Sequence, residues 1–135
     1  MKKTNTPLNV AIVGLGHLHP RSYMTLFQQV PACRVTAVME PDAALREPFC
    51  ADYGLTGYAS LPALLRTEKP DIAAIFLPHA DCPAAAAACA KAGAHLMVEK
   101  PVAASASGAA AIVAAARQHR VKLTTGYCWR FHPVA

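Results

Sequence analysis

The stretch that most constrains this chain runs from Asn9 to Pro20, Asn-Val-Ala-Ile-Val-Gly-Leu-Gly-His-Leu-His-Pro. Val10, Ala11, Ile12 and Val13 are apolar and mostly β-branched, and read as a buried strand. Gly14 and Gly16 break it, and a helix-like run from Arg21 to Val30 follows. Strand, glycine turn and helix together form an anion-binding arrangement of the kind that holds a dinucleotide diphosphate. Gly14 permits the tight turn, and Gly16 lets the backbone approach the phosphates. The free N–H groups at the helix start face the anion with the positive end of the helix dipole. A third glycine would be expected at position 19, where this chain has His19, so a slightly wider helix–strand fit is expected there. An ordinary strand-to-helix turn would use the same residues, so the rest of the chain must decide.

The rest alternates in the same way. Strands are expected at 9–13, 34–39, 56–58, 72–77, 95–99 and 121–125. Helices are expected at about 20–30, 43–53, 61–67, 82–92 and from Ser105 or Ser107 to about His119. Asp42 and Ser60 are the expected N-caps of the second and third helices, Gly54 and Gly93 end the second and fourth, and Pro48 should weaken or kink the second. The run Ile72-Ala-Ala-Ile-Phe-Leu77 is apolar throughout, as in a strand covered on both faces. Alternation of this kind gives right-handed βαβ crossovers, hence an α/β, doubly wound, mostly parallel sheet of about six strands. Residues 1–8 read as a loose lead-in. The chain shows no other repeat and no linker.

Composition narrows the partners. At 135 residues the chain is one domain by length, with 54% hydrophobic and 16% charged residues. Its net charge of +5 comes from scattered Lys and Arg with no basic stripe, which disfavours nucleic acid and suits an anionic ligand. The five cysteines, Cys33, Cys50, Cys82, Cys89 and Cys128, are odd in number and lack Cys-x-x-Cys spacing. Reduced thiols in a cytoplasmic protein are therefore expected, with neither a disulfide framework nor a zinc site. The basic start lacks the long apolar run of a signal peptide, and the alanine runs are too short to span a membrane. The six histidines show no metal-ligand spacing, and Cys82 and Cys89 read as core residues.

In such a sheet, ligands bind beyond the carboxyl ends of the strands. The candidate cofactor residues are therefore Gly14, Leu15, Gly16, His17 and Leu18 after the first strand, and Glu40 after the second. Leu77, Pro78 and His79 follow the fourth, and Glu99 and Lys100 the fifth. His19 is expected at the helix start, lining the cleft. Glu40 lies 24 positions after Gly16. A carboxylate there can accept hydrogen bonds from the adenosine ribose and repel a 2′-phosphate, which favours NAD over NADP. A solvated turn glutamate is the alternative. Lys100, in Glu99-Lys100-Pro101, could hold a substrate oxygen, polarise a carbonyl or move a proton; an exposed surface lysine is the alternative. The aromatic segment Gly126-Tyr-Cys-Trp-Arg-Phe-His-Pro133 could cover a nicotinamide ring or lead into another domain.

Taken together, Val13-Gly-Leu-Gly16, Glu40, Pro78, Val98-Glu-Lys-Pro101 and Gly126-Tyr-x-x-Arg130-Phe131 resemble the amino-terminal domain of the Gfo/Idh/MocA oxidoreductases. This is the glucose-fructose oxidoreductase and inositol 2-dehydrogenase family. The resemblance implies an NAD(P)-dependent dehydrogenase acting on a sugar, cyclitol or related polyol. It adds Arg130 to the cofactor candidates and makes Lys100 catalytic, standing between nicotinamide and substrate while a hydroxyl proton leaves and hydride moves to the nicotinamide C4. It also implies a division at 1–126, the dinucleotide-binding domain, and 127–135, the start of a crossover to a second domain. That second domain would hold the acid–base histidine, most substrate contacts and a homo-oligomer face, so these 135 residues alone are expected to be inactive. Several residues depart from the family pattern. His19 stands for the third glycine, Leu77-Pro-His-Ala-Asp-Cys82 for Thr-Pro-Asn-x-x-His, and Cys128 and Trp129 for more polar residues. A non-catalytic dinucleotide sensor or a scaffold module is the alternative function.

Overall fold

The computed structural model describes residues 6–133; most of the lead-in and the last two residues of the expected crossover segment lie outside them. Six strands form one parallel sheet: β1 (Leu8–Val13), β2 (Cys33–Met39), β3 (Thr56–Tyr58), β4 (Ile72–Ile75), β5 (His95–Val98) and β6 (Leu123–Thr125). Their spatial order is β3-β2-β1-β4-β5-β6. The direction of winding reverses between β1 and β4, which pair directly from Val10↔Ile72 to Val13↔Ile75. That reversal opens a crevice at the carboxyl ends of these two strands, where no crossover covers the sheet.

Five helices alternate with the strands: α1 (His19–Gln28), α2 (Ala43–Tyr53), α3 (Leu61–Glu68), α4 (Cys82–Lys91) and α5 (Ala106–Gln118). Because side chains alternate along a strand, each strand feeds two cores. Val10, Ile12, Val38, Ala74 and Phe76 pack with Met24 of α1 and Phe49 of α2. Ala11, Val13, Ala37, Ile75 and Val98 pack on the other face with Leu64 of α3, the alanines of α4 and Ile112 of α5. Ala37, Ala11 and Ala73 lie side by side across β2, β1 and β4. With no bulk above this row, α4 brings Ala85, Ala86 and Ala90 onto the sheet, and all three are at least 94% buried. The abundance of alanine is thus a packing solution: small side chains on the sheet and on α4 let the two surfaces approach closely.

The expected elements are present, with differences at their ends. β4 stops at Ile75, though the Phe76 N–H still donates to the Val13 carbonyl. β6 starts at Leu123, because the Val121 N–H closes the exit of α5 on the Ala116 carbonyl. Pro48 does not end α2, which runs continuously from Ala43 to Tyr53 and is anchored by the buried Phe49. Asp42 caps α2 as expected, accepting from the Ala44 N–H, and Ser105, not Ser107, caps α5, accepting from the Gly108 N–H. Ser60 occupies the cap position of α3, but its hydroxyl makes no capping bond. Cys82 and Cys89 are core residues, and all five cysteines are free thiols.

Candidate functional site

The crevice is built first by Gly14. Its φ is +92°, and an added Cβ would lie 2.8 Å from Leu77 Cδ2 and 3.1 Å from the Leu77 amide. Both the backbone conformation and the contact with the turn after β4 therefore require glycine. At Gly16 the situation is the reverse: an added Cβ would meet nothing within 4 Å. The protein leaves open space over that backbone, as a loop that must admit a ligand requires.

The loop amides divide into two groups. The Gly14 N–H donates to the Met39 carbonyl at 2.8 Å and the Leu15 N–H to Glu40 Oε2 at 2.8 Å. These two are therefore not free to face an anion, which corrects the simple picture of a fully open loop. Among the described residues, the N–H groups of Gly16, His17 and Leu18 make no hydrogen bond within the protein. Leu18 holds the N-cap position of α1 without a side-chain cap, and Pro20 follows in the first turn. Unsatisfied amides at a helix start form an anion site.

Glu40 is only 8% exposed and is not a solvated turn residue. Its Oε1 accepts from the Asp42 N–H at 3.0 Å, and its Oε2 from Leu15. Two amides thus hold the carboxylate against the glycine loop, which leaves about two of its four acceptor positions for a diol. Arg46 reaches back from α2 to the backbone carbonyls of Glu40 (2.6 Å) and Pro41 (3.1 Å), a contact with no counterpart in the sequence reading.

A second buried carboxylate closes the other side. Glu99, 4% exposed, follows β5. Its Oε1 accepts from the Lys100 N–H at 2.8 Å, so it orients Lys100 through the backbone rather than through the ammonium. Its Oε2 lies 2.8 Å from His19 Nδ1, a pair spanning 80 positions of sequence. Glycine at 126 leaves room for the carboxylate in this position: a Cβ there would sit 2.7 Å from Glu99 Oε1. The His19 N–H donates to His17 Nδ1 at 3.2 Å, and the two rings meet edge to face at 4.3 Å. Tyr23, one turn along α1, has its ring 6.3 Å from that of His19. Burial, then the charges of Glu99 and Cys128, push the Tyr23 hydroxyl above its usual pKa.

The remaining candidates fall in different places. Leu77 is half-buried against Gly14, whereas Pro78 and His79 are exposed on the turn beside it. Cys82 donates its thiol to the carbonyls of Leu77 (3.5 Å) and Pro78 (3.6 Å), and burial raises its pKa. It therefore tethers that turn as a neutral group. Lys100 is exposed at the crevice, and its peptide bond to Pro101 is cis. Arg130 stands apart, lining a groove along the edge strand β6 with Leu123 and Phe131. A cavity of about 250 Å³ beside the loop is bounded by Leu15, His17, Leu18, Arg21 and Phe49. A larger one, about 490 Å³, lies at the opposite end of the sheet near Phe27, Cys33 and Arg34, away from every candidate residue. No group of three His, Cys, Asp or Glu among the described residues is arranged to hold a metal ion, and no helix among them is long and apolar enough to cross a membrane.

The open loop, the three unbonded amides and the buried carboxylate beside them fit a dinucleotide. Comparison with known proteins agrees. Residues 8–127 match the family model GFO_IDH_MocA, described as "Oxidoreductase family, NAD-binding Rossmann fold". A dTDP-3,4-didehydro-2,6-dideoxy-α-D-glucose 3-reductase from Saccharopolyspora spinosa is 28% identical over 93% of this chain and 38% of its own length. A D-xylose 1-dehydrogenase (NADP(+)) from Haloferax volcanii is 35% identical over 73% of this chain and 30% of its own. The chain thus spans 30–38% of the length of these curated relatives. Among solved structures, the WlbA dehydrogenase of Chromobacterium violaceum, in complex with NADH and UDP-GlcNAcA, superposes with a TM-score of 0.83. It is 26% identical, over 90% of this chain and 35% of that one. The chain belongs to the Gfo/Idh/MocA oxidoreductase family, of which it forms the NAD(P)-binding Rossmann domain.

Proposed function

We propose that this chain is the cofactor half of an oxidoreductase that moves hydride between NAD(H) and a sugar, cyclitol or related polyol. The observation that carries the reading is the juxtaposition, in one crevice, of the open Gly16–Leu18 amides, the buried Glu40 and the Glu99-Lys100 turn. The amides of Gly16, His17 and Leu18 hold the diphosphate, and Glu40 accepts from the adenosine ribose hydroxyls. Leu77, Pro78 and His79 border the cofactor on the β4 side, and Glu99 and Lys100 on the β5 side. When bound, the nicotinamide supplies the hydride acceptor or donor. Lys100 then stabilises the substrate oxygen as its proton leaves, its position fixed by the Glu99 carboxylate on its own amide.

Residues 127–135 begin a crossover to a second domain that completes the substrate site and a homo-oligomer face. The 53–76% exposure of Tyr127, Trp129 and Phe131 supports this, as does the greater length of the relatives. Arg130, on this segment, is less favoured as a cofactor residue because it lines the β6 edge. Free thiols favour a cytoplasmic setting.

NAD is preferred to NADP because a 2′-phosphate would meet the Glu40 carboxylate. Arg46 spends its Nη1 on the carbonyls of Glu40 and Pro41 and keeps its charge, Nη2 and Nε, so the preference for NAD rests on Glu40 alone. Calorimetric titration with NADH and NADPH tests the reading. NADH should bind at least about tenfold tighter, a difference of about 1.4 kcal/mol. Equal or tighter NADPH binding would overturn the choice of cofactor, and binding of neither would overturn the dinucleotide reading itself.

A further inference from the structure

Two buried carboxylates flank a loop that must admit a doubly charged anion. Among the described residues, Glu40 is met by two backbone amides, but Glu99 by one, from Lys100; its other oxygen rests on His19. The His19 side chain is 38% exposed, while that of Glu99 is 5% exposed. With Nδ1 on the carboxylate, Nε2 is the remaining ring nitrogen. In neutral imidazole whose Nδ1–H donates to Glu99, Nε2 carries a lone pair and is unsuited to phosphate. In imidazolium it becomes a second donor that an anion can accept from, and the ring neutralises Glu99.

We propose that His19 is a diphosphate-binding residue, held by Glu99, that takes up a proton as the dinucleotide binds. The proposal rests on the cofactor reading above and adds to it a residue that replaces the close-packing glycine with a positive charge. The groups facing His19 are His17 from the loop, Tyr23 from its own helix and Glu99 from the end of β5, with Lys100 next to Glu99 and Cys128 within electrostatic reach of Tyr23. Of these, His17 is the other imidazole, so it needs its own control.

The test is calorimetric titration of the chain with ADP-ribose, whose diphosphate and adenine do not titrate between pH 6 and 8.5. Titrations in buffers of differing ionisation enthalpy give the protons taken up. Affinity should fall about fivefold from pH 6 to 8.5, which by linkage requires an average uptake of about 0.3 proton across that interval. His19→Gln should abolish both effects while still binding. His19→Gly, which restores the third glycine, is a second variant should the first not fold, and His17→Gln should keep the uptake. Uptake that persists in both His19 variants, or that is lost only in His17→Gln, would overturn the proposal, as would pH-independent binding by the unaltered chain. Absence of ADP-ribose and NADH binding at every pH would instead bring down the cofactor reading on which it rests.

Discussion

Gly14 and Gly126 are required for different reasons, and the difference is testable. At Gly14 both the left-handed backbone and the Leu77 contact oppose a side chain. Gly14→Ala should therefore lower stability by about 2 kcal/mol in urea unfolding, within the usual range for a strained backbone with a packing clash, and should weaken NADH binding. Gly126 has no such backbone strain; its Cβ would displace only the Glu99 carboxylate. The sequence made Gly14 legible because its neighbours form a local motif. It could not make Gly126 or His19 legible, because what they meet is Glu99, 27 and 80 positions away, and no local spacing encodes such a contact. Glu40 was readable by its distance from Gly16, but its burial was not. That burial depends on backbone donors at Leu15 and Asp42, which only the folded loop presents.

Among the elements, α4 and α5 pack into the same core, and both are rich in alanine. The Ser105 cap starts α5 where Gly108 packs against Ala103 and Pro83. Ser105→Ala should cost about 1 kcal/mol in thermal or urea unfolding, whereas Ser60→Ala, at a cap that makes no bond, should cost much less. Cys89, on the buried face of α4, has its thiol pushed up to about 12 by burial. A raised pKa means that the folded chain keeps its proton after the unfolded chain has lost it. The Cys89 contribution is therefore intact below the unfolded thiol value and is lost as pH rises beyond it. Between pH 8 and 10 stability should fall by about 1.5 kcal/mol through this group, and Cys89→Ala should fall by that much less over the same interval. Element types were legible from periodicity and the Gly and Pro boundaries. The ends of β4 and β6 were not, because they depend on which carbonyls the neighbouring strand and helix offer.

At the scale of the whole molecule, the sheet order puts every candidate but Arg130 at one edge, and the reversal between β1 and β4 makes that edge a crevice. Binding and chemistry are separable within it. Lys100→Ala removes an exposed side chain and keeps the backbone N–H that Glu99 uses, so NADH affinity should stay within about twofold, while turnover by the full-length enzyme should fall by about a hundredfold or more. Retained turnover would remove Lys100 from the chemistry without touching the cofactor site.

The central claim is that a dinucleotide lies across the β1–β4 crevice, and a crystal structure of this chain with saturating NAD+ tests it most directly. The diphosphate should lie within hydrogen-bond distance of the Gly16, His17 and Leu18 amides, with the adenosine ribose on Glu40. Absence of nucleotide density at that edge, or a nucleotide seated in the cavity by Phe27 and Arg34 at the other end of the strands, would contradict the account.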